Sequence, residues 1–399
     1  MELADKKSCT GCGACIYVCP KKCITFRIDE NYEIAYPEIN VDKCINCGRC
    51  RDICPALNPL ERSEPYLAYA AWSSDVSERH TSASGGIATE IYKYAIAHNW
   101  AIVGATFYKN FKVGLKLAND IAAIEEFKNS KYVFSSTDHL FNDIEKQLKT
   151  GGKVVIIALP CQIAAVRKIF HNNLADLLLV DLVCHGTTPY SYLKQYIHHM
   201  EMQYGKKVAT IIFRDPQKGT HQFVLSLYDS GGNCFYSNSA INTNDFYQYG
   251  YHEMITYRDN CYQCPYASRE RVSDITLSDY KGLGSCMPCT FSKEKVSSVL
   301  INTKKGEEMM NLLLNTGQVV AEMRPVEEPI KGDKQLQHPS EKGYARFLFE
   351  KKYVRQRDFI SVMRSVYRHA IIHKKILWAY HLPIRVINKM VRILHISRF

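Results

Sequence analysis

Two hydrophobic patterns alternate along most of this chain. Continuous apolar runs at 153–159 and 176–183 are typical of strands buried on both faces of a sheet. Residues 162–170, between these runs, carry apolar positions at helical spacing. Together they predict a right-handed βαβ unit with two parallel, neighbouring strands. The other predicted strands are at 101–108, 112–118, 207–214, 222–228 and 297–302.

A strand and a glycine-rich turn begin the part of the chain that has this pattern. Tyr66 to Trp72 is predicted to be a strand, and apolar residues recur at helical spacing from Ile87 onward. Between them, Gly85 and Gly86 lie at the start of the predicted helix. The fold class expected from about residue 66 is therefore mixed α/β.

Length and composition favour a folded protein with more than one domain. The chain of 399 residues exceeds one ordinary core, and its hydrophobic content of 46% is that of a globular protein. No uninterrupted apolar run is long enough to predict a membrane span. The N-terminus lacks the basic and apolar regions of a secretory signal, so we expect a cytoplasmic protein with its sixteen cysteines in a reducing compartment.

Positive charge is concentrated in the C-terminal tail. The net charge is +11, and residues 355–399 hold ten Lys and Arg against one acid, Asp358. The rest of the chain is close to neutral, so no nucleic-acid partner is expected. Within the tail, apolar residues alternate with cations, and Pro383 divides two predicted helices. Such a tail can pack on its own domain, dock on a protein partner or lie peripherally on the inner face of the membrane.

Eight cysteines near the N-terminus form a duplicated motif. Each copy has three cysteines at two-residue spacing and a fourth that is followed by proline, as in bacterial ferredoxins with two 4Fe-4S clusters. In that pattern the fourth cysteine of each copy binds the other cluster. The predicted ligands are Cys9, Cys12, Cys15 and Cys54 for cluster one, and Cys44, Cys47, Cys50 and Cys19 for cluster two.

Zinc sites and disulfide frameworks do not share this duplicated register. Cys23 lies outside the register and is expected to be a buried apolar residue. Residues 1–60 are thus predicted to be a small α+β ferredoxin domain of the bacterial type.

Four further cysteines lie in the α/β region. Cys161 and Cys184 follow the two strands of the βαβ unit, so both thiols are expected at the carboxyl edge of the sheet, where open α/β sheets build their sites. Cys261 and Cys264 add a pair with the spacing of a metal half-site. Spacing alone leaves two interpretations open, a third 4Fe-4S cluster or core thiols with a pair that binds zinc or nothing.

The stretch from about 66 to 303 resembles the family of coenzyme F-420 hydrogenase/dehydrogenase beta subunits. The motifs that carry the resemblance are Ser84-Gly85-Gly86, Lys131-Tyr132-Val133, Pro160-Cys161-Gln162, Cys184-His185-Gly186, Cys261 with Cys264, and Asp274 to Gly282. The resemblance implies a flavoprotein in which the four cysteines of the α/β region hold a cluster beside FAD. Two segments depart from the family pattern and leave the substrate side open: Ser278-Asp279-Tyr280-Lys281-Gly282 and Ala158-Leu159-Pro160-Cys161-Gln162.

Candidate FAD contacts lie in two segments. The first offers hydroxyls and amides to a diphosphate at a helix N-terminus, although a tight turn with ordinary capping has the same pattern. It contains Ser82, Ser84, Gly85 and Gly86. The second would place a cation and hydroxyls near the flavin ring, unless its lysine is merely solvated beside a strand. It contains Lys131, Tyr132 and Ser135.

Polar residues around Cys261 and Cys264 have two interpretations. They could orient the cluster loop or the flavin, and they could equally form surface salt bridges. They are Arg258, Asn260, Arg271 and Asp274. No catalytic residue is assigned.

Cys286-Met287-Pro288-Cys289 has the spacing of a thiol-disulfide motif. Its setting lacks a thioredoxin-like βαβ pattern. The two cysteines are therefore either a redox disulfide or ordinary loop residues.

The sequence as a whole predicts an oxidoreductase that moves electrons between ferredoxin-type clusters and a small molecule, coenzyme F-420 or another, through FAD. Clusters pass single electrons, so a group that holds one or two is needed before any hydride transfer. The expected partner is a redox protein, such as a ferredoxin, or a catalytic subunit. Residues 66–335 would form the flavin and cluster domain, and residues 336–399 a basic helical region.

Two alternatives remain at this point. One is a ferredoxin-dependent disulfide reductase that uses Cys286 and Cys289. The other is a non-enzymatic electron-transfer subunit of a larger complex.

Overall fold

The computed structural model of the protein describes residues 2–218, 223–239, 245–373 and 376. Its strands are β1 Ile24–Ile28, β2 Ala35–Ile39, β3 Leu67–Ser73, β4 Ala101–Phe107, β5 Val113–Ala118, β6 Val154–Ala158, β7 Leu177–Leu182, β8 Thr210–Ile212, β9 Leu225–Tyr228, β10 Cys234–Asn238, β11 Ile275–Asp279, β12 Ser297–Ile301 and β13 Val319–Arg324. Its helices are α1 Ala14–Tyr17, α2 Arg49–Asp52, α3 Val76–Thr81, α4 Ile87–Ala97, α5 Ala123–Phe127, α6 Leu140–Lys149, α7 Pro160–Ile169, α8 Tyr190–Tyr204, α9 Phe246–His252, α10 Lys304–Asn315, α11 Glu327–Gly332 and α12 Tyr344–Gln356. Residues 359–373 are also helical.

An eight-stranded mixed sheet is the centre of the fold, with the strand order β13-β3-β12-β11-β7-β6-β4-β5. Strand β6 runs parallel to both β4 and β7, and all five of its residues are buried. Helices α4 and α10 contribute to the core on one side, whereas α6 and α7 contribute to a separate core. Covering helices explain why the predicted strands at 153–159 and 176–183 are apolar throughout. The predicted parallel βαβ arrangement of β6, α7 and β7 is confirmed.

The carboxyl ends of five strands meet at one edge of this sheet. Strands β4, β6, β7 and β11 form parallel pairs, and β3 has the same direction because β12 runs antiparallel to both β3 and β11. The segments that follow these strands therefore lie side by side. We call this line of segments the carboxyl edge.

The N-terminal region is a small hairpin unit that packs on the α/β body. Strands β1 and β2 pair antiparallel, and the short helices α1 and α2 each begin after a glycine with positive φ. Cys12 and Ala14 belong to the same core as α6 and α7. In addition, Thr137 Oγ1 donates a hydrogen bond to the carbonyl of Cys12 at 2.9 Å. The first cysteine loop thus contacts the body, and so does the turn between β1 and β2, because Tyr353 Oη and Gln195 Nε2 donate to Glu33 Oε2 at 2.6 and 3.0 Å.

A second layer surrounds the small antiparallel sheet β10-β9-β8. Its core contains aromatic and aliphatic residues of α8, α9 and α12, and also Phe359, Val362 and Val366. The described part of the predicted C-terminal region therefore packs on its own chain. Leu377, Trp378 and Pro383, on which the predicted basic tail also depends, lie outside the described residues. No helix in the described ranges is both long and apolar enough to cross a membrane.

Candidate functional site

The first predicted cluster set converges in the structure. Burial, together with the neighbouring Cys9 and Cys54, raises the pKa of the Cys12 thiol to about 11. Burial also raises the pKa of Cys15, with contributions from Cys12, Cys9 and Cys54. The last cysteine of the second copy therefore lies among the first three of the first copy, which is the arrangement that the crossed motif requires.

The second predicted set lines a single cavity. Its lining includes Cys19, Cys44, Cys47 and Cys50, and Cys47 is exposed to solvent. Cys23 also lines this cavity. It is buried, as expected, but its Sγ lies 3.4 Å from the Sγ of Cys19, and its N–H donates to the same sulfur at 3.4 Å. The register of the motif gave no sign of this contact.

The four cysteines of the α/β region line another cavity, at the carboxyl edge. Cys161 is the second residue of α7, directly after β6, and Cys184 follows β7 by two residues. Cys261 and Cys264 come from a short turn across the cavity. Burial raises the pKa values of Cys161 and Cys184, and raises that of Cys264 to about 11. Three separate segments thus bring four partly buried thiols together.

The chemistry of these three sets fits iron-sulfur clusters. Thiols ligate iron as thiolates, and burial disfavours bare thiolates unless a cationic group compensates them. Among the residues that the structure describes, no group of three or more His, Cys, Asp and Glu is arranged to hold a single metal ion. Each set supplies four thiols, which is the number of ligands that a 4Fe-4S cluster takes.

Arginines around the third cavity are buried, so their interpretation as surface salt bridges is wrong. Arg258 and Arg271 are each 2% exposed. Arg271 Nη2 forms an ion pair with the fully buried Asp181 at 3.0 Å. Asp274 is buried as well, and one of its carboxylate oxygens lies 3.1 Å from Lys305 Nζ. Arg and Asp side chains are usually exposed at the protein surface, so their sequence positions predict exposure. Here packing against the sheet buries them.

The first group of FAD candidates lies at the end of β3, on the same carboxyl edge. The hydroxyls of Ser82 and Ser84 donate to Glu78 Oε1 at 2.9 Å and to the Val296 carbonyl at 3.0 Å. Gly85 is packed so tightly that a Cβ would lie 2.4 Å from the Ala71 carbonyl oxygen. Gly86 precedes α4 with φ of 87°. Both hydroxyls therefore already have partners within the protein.

The second group lies beside the third cavity. Burial lowers the pKa of Lys131 to about 7, and its Nζ donates to the Lys128 carbonyl at 2.9 Å. Tyr132 stacks on Tyr251 with ring centroids 4.3 Å apart. The Ser135 hydroxyl accepts a hydrogen bond from Nε2 of Gln162, the residue that follows Cys161, at 3.0 Å. Within this segment, Phe134 is the residue that lines the cavity.

Cations between the two groups were missed by the sequence reasoning. Arg214 pairs with Asp279 at 2.9 Å, at the end of β11. Lys295 donates to the carbonyl of Ser82, and burial together with the charge of Arg214 lowers its pKa to about 8. Lys281 Nζ lies 3.1 Å from His185 Nε2. Since β11 was not predicted as a strand, nothing in the sequence placed these cations at the edge.

Cys286 and Cys289 lie in a loop and are free thiols. No helix begins at Cys286, whose N–H donates to Glu328 Oε1 at 3.0 Å. A low-pKa thiol in a thioredoxin-like motif depends on a helix N-terminus that stabilises the thiolate. Here the Cys286 N–H donates to a carboxylate and is not available to stabilise a thiolate. This weighs against the disulfide reductase alternative.

Glu328→Gln is expected to reduce the free energy of unfolding by about 3–5 kcal/mol at pH 7, because Glu328 and Arg324 form a fully buried ion pair. Burial alone would raise the pKa of Glu328, but hydrogen bonds from Arg324 and backbone amides lower it from 4.5 to about 2. Because its pKa is lower in the folded state, the Glu328 carboxylate stabilises the fold above pH 4.5, and this stabilisation is lost as the pH falls toward 2.

Anaerobic urea unfolding measures this loss. Glu322→Gln is the matched control, because its carboxylate pairs with the same arginine but is 37% exposed. The control should lose no more than about 1 kcal/mol. Equal losses in the two variants would contradict the assignment.

Comparison with known proteins identifies two regions. A family model for the 4Fe-4S dicluster domain matches residues 8–58. A second family model, for the C terminus of the coenzyme F420 hydrogenase/dehydrogenase beta subunit, matches residues 151–327.

Two individual relatives have names that refer to coenzyme F420. The coenzyme F420-dependent sulfite reductase of Methanocaldococcus jannaschii is 28% identical over 78% of this chain and 46% of its own length. A subunit of the F(420)H(2) dehydrogenase of Methanosarcina mazei is 24% identical over 46% of this chain and 55% of its own. The chain thus spans about half the length of these curated relatives.

Among solved structures, a chain of the F420-reducing [NiFe] hydrogenase complex from Methanosarcina barkeri matches with a TM-score of 0.43. The match has 20% sequence identity and covers 67% of this chain and 84% of that chain.

Proposed function

We propose that this chain is an oxidoreductase that passes electrons through three 4Fe-4S clusters to FAD. Residues 8–58 match the model of the 4Fe-4S dicluster domain, and residues 151–327 match that of the C terminus of the coenzyme F420 hydrogenase/dehydrogenase beta subunit. The flavin would exchange a hydride with a small molecule. The matches support an iron-sulfur electron-transfer protein related to F420-dependent enzymes.

The cavity of Cys161, Cys184, Cys261 and Cys264 is the observation that carries the proposal. It lies next to the first cysteine loop, because Thr10 contributes to its lining and Cys12 adds to the raised pKa of Cys161. The second cavity lies farther out, with Cys47 exposed. This order supports a path from a redox partner at cluster two, through cluster one, to the third cluster.

The carboxyl edge beside the third cavity supports the flavin. Arg214, Lys281 and Lys295 lie there, and cations of this kind favour a diphosphate or a reduced, anionic ring. FAD supplies the switch between one-electron and two-electron chemistry. Because the serine hydroxyls of the first candidate group are occupied, we propose that backbone amides and these cations hold the cofactor.

Coenzyme F420 is the first substrate candidate, because the two relatives named above act on it according to their names. Since the chain spans about half of each relative, we do not assign the relatives' complete reactions to it. A different small molecule is compatible with the departures at 278–282 and 158–162.

Anaerobic purification followed by iron, sulfide and flavin analysis tests the proposal. We expect about twelve iron ions per chain, since each of three clusters holds four, and about one FAD. Reduced coenzyme F420 and a panel of other donors should then be screened for bleaching of the flavin.

Three outcomes would contradict parts of the proposal. About eight iron ions would mean that the third cavity holds no cluster. A full iron content without flavin would favour the non-enzymatic electron-transfer subunit. A double Cys286→Ser, Cys289→Ser variant that loses activity would revive the disulfide reductase.

A further inference from the structure

Arg258 is a buried cation without an anionic partner. Its side chain is 2% exposed, and no carboxylate forms an ion pair with it within the part of the chain that the structure describes. Nη1 donates to the Thr10 carbonyl at 2.9 Å, whereas Nε and Nη2 have no hydrogen-bond partner. The guanidinium carbon lies 4.1 Å from the centre of the Phe134 ring. A buried charge in this state is strongly unfavourable unless an anion compensates it.

Four other arginines are buried among the described residues, and each is paired with a carboxylate. The pairs are Arg214 with Asp279, Arg271 with Asp181, Arg324 with Glu328, and Arg346 with Asp259 and Glu350. Arg258 is the exception among these five, so its compensating charge must come from something other than a side chain of the described residues.

Arg258 lies between the first cysteine loop and the third cavity. Toward the loop, a Cβ at Gly11 would be 2.7 Å from Nη2, so the guanidinium contacts the backbone between Cys9 and Cys12. Its charge also opposes the burial that raises the pKa of Cys9. Toward the cavity, Arg258 is part of the lining that contains Cys261.

Backbone hydrogen bonds hold this position from the cavity side. The N–H of Arg258 donates to the Thr187 carbonyl at 3.0 Å, in the segment that follows Cys184. The N–H of Cys261 donates to the Arg258 carbonyl at 3.0 Å. The residue is thus fixed to both cysteine sets and cannot move away from either without breaking these bonds.

We infer that Arg258 is the counter-charge shared by cluster one and the third cluster, and that it raises the reduction potentials of these clusters. The inference rests on the proposed third cluster. A cluster held by four thiolates is an anion whose negative charge grows on reduction, so a nearby cation stabilises the reduced form. An electron that passed between the clusters would oxidise one and reduce the other. No proton moves, because the guanidinium keeps its charge throughout.

Arg258→Gln and Arg258→Lys in the full-length holoprotein test this role. Reductive titration followed by electron paramagnetic resonance gives the potentials, and iron analysis shows whether all clusters are present. For Arg258→Gln we expect the reduction equilibrium of at least one cluster to shift about tenfold toward the oxidised form, which is about 59 mV for one electron. Arg258→Lys keeps the charge and should retain most of the wild-type potential.

Each outcome decides the question. Unchanged potentials in Arg258→Gln with a full iron content would overturn the inference. If Arg258→Gln loses iron while Arg258→Lys keeps it, charge is required for cluster assembly and the inference stands. If both variants lose iron equally, packing of the guanidinium is what matters and the inference fails. A wild-type chain with about eight iron ions would instead contradict the proposed third cluster.

Discussion

Cys161→Ala is expected to lower the iron content from about twelve to about eight per chain, because one of three four-iron clusters is lost. It should also decrease electron transfer from the dicluster domain to any acceptor by about a hundredfold or more. Even changes behind the ligands of a metal site cost about 10–100-fold, so loss of a ligand should have at least this effect.

The position of Cys161 explains the expected severity. The residue lies in the first turn of α7, which begins two residues after the end of β6, a strand whose five residues are all buried, so the backbone cannot shift to bring another ligand forward. Gln162 also fixes this turn, because its side chain bonds to the Leu159 N–H and to Ser135. Alanine at 161 would leave three thiols around a buried cavity.

Cys234→Ala is the matched control for this variant. Cys234 is an exposed thiol in β10 and lines neither of the two cysteine cavities. The control should keep the wild-type iron content and activity. Twelve iron ions in Cys161→Ala would show that Cys161 does not bind the cluster, and loss of clusters one and two as well would show a general folding defect.

Much of this architecture could be predicted because its signals are local. The cysteine motifs repeat at short spacing, and the apolar runs of β6 and β7 reflect burial on both faces. Parallel pairing of these strands then placed Cys161 and Cys184 at one edge. The structure has both residues at this edge, as the pairing predicts.

The remaining parts depend on contacts between distant segments. Strand β11 was missed because Thr276 and Ser278 interrupt its apolar pattern, although the strand pairs with both β7 and β12. Strand β13 contains the charged residue Glu322 and pairs with β3, more than 200 residues earlier. The burial of Arg258 likewise depends on Thr10 and Phe134, which no local pattern connects.

Removal of iron should unfold the N-terminal unit while the α/β body stays folded. The core of this unit is made largely of the cysteines themselves: Cys23, Ile24 and Cys50 are buried together, with Cys15, Cys19 and Cys44 packed against them. A unit of about 60 residues rarely gains more than about 3–5 kcal/mol from its core alone. Without iron, the clusters that cross-link the unit are lost, and a two-stranded hairpin such as β1 and β2 is not stable by itself.

The body has a different source of stability. Strands β6 and β7 are buried between helices by aliphatic side chains, and none of their residues is a predicted ligand. Hydrogen exchange of the full chain, before and after anaerobic treatment with an iron chelator, compares the two parts directly. Amides of β1 and β2 should exchange about a hundredfold faster or more after iron removal, whereas those of β6 and β7 should change little.

Unchanged protection of β1 and β2 after complete iron removal would show that docking on the body is enough to hold the unit. The contacts that could do so lie at the first loop, where Thr137 donates to the Cys12 carbonyl, and at the turn between β1 and β2, where Tyr353 and Gln195 donate to Glu33 Oε2 at 2.6 and 3.0 Å. They fix residues near Cys12 and in the hairpin turn, and none of them involves Cys44, Cys47 or Cys50. The expected order of loss is therefore the outer cysteine loop first and the docked loop last.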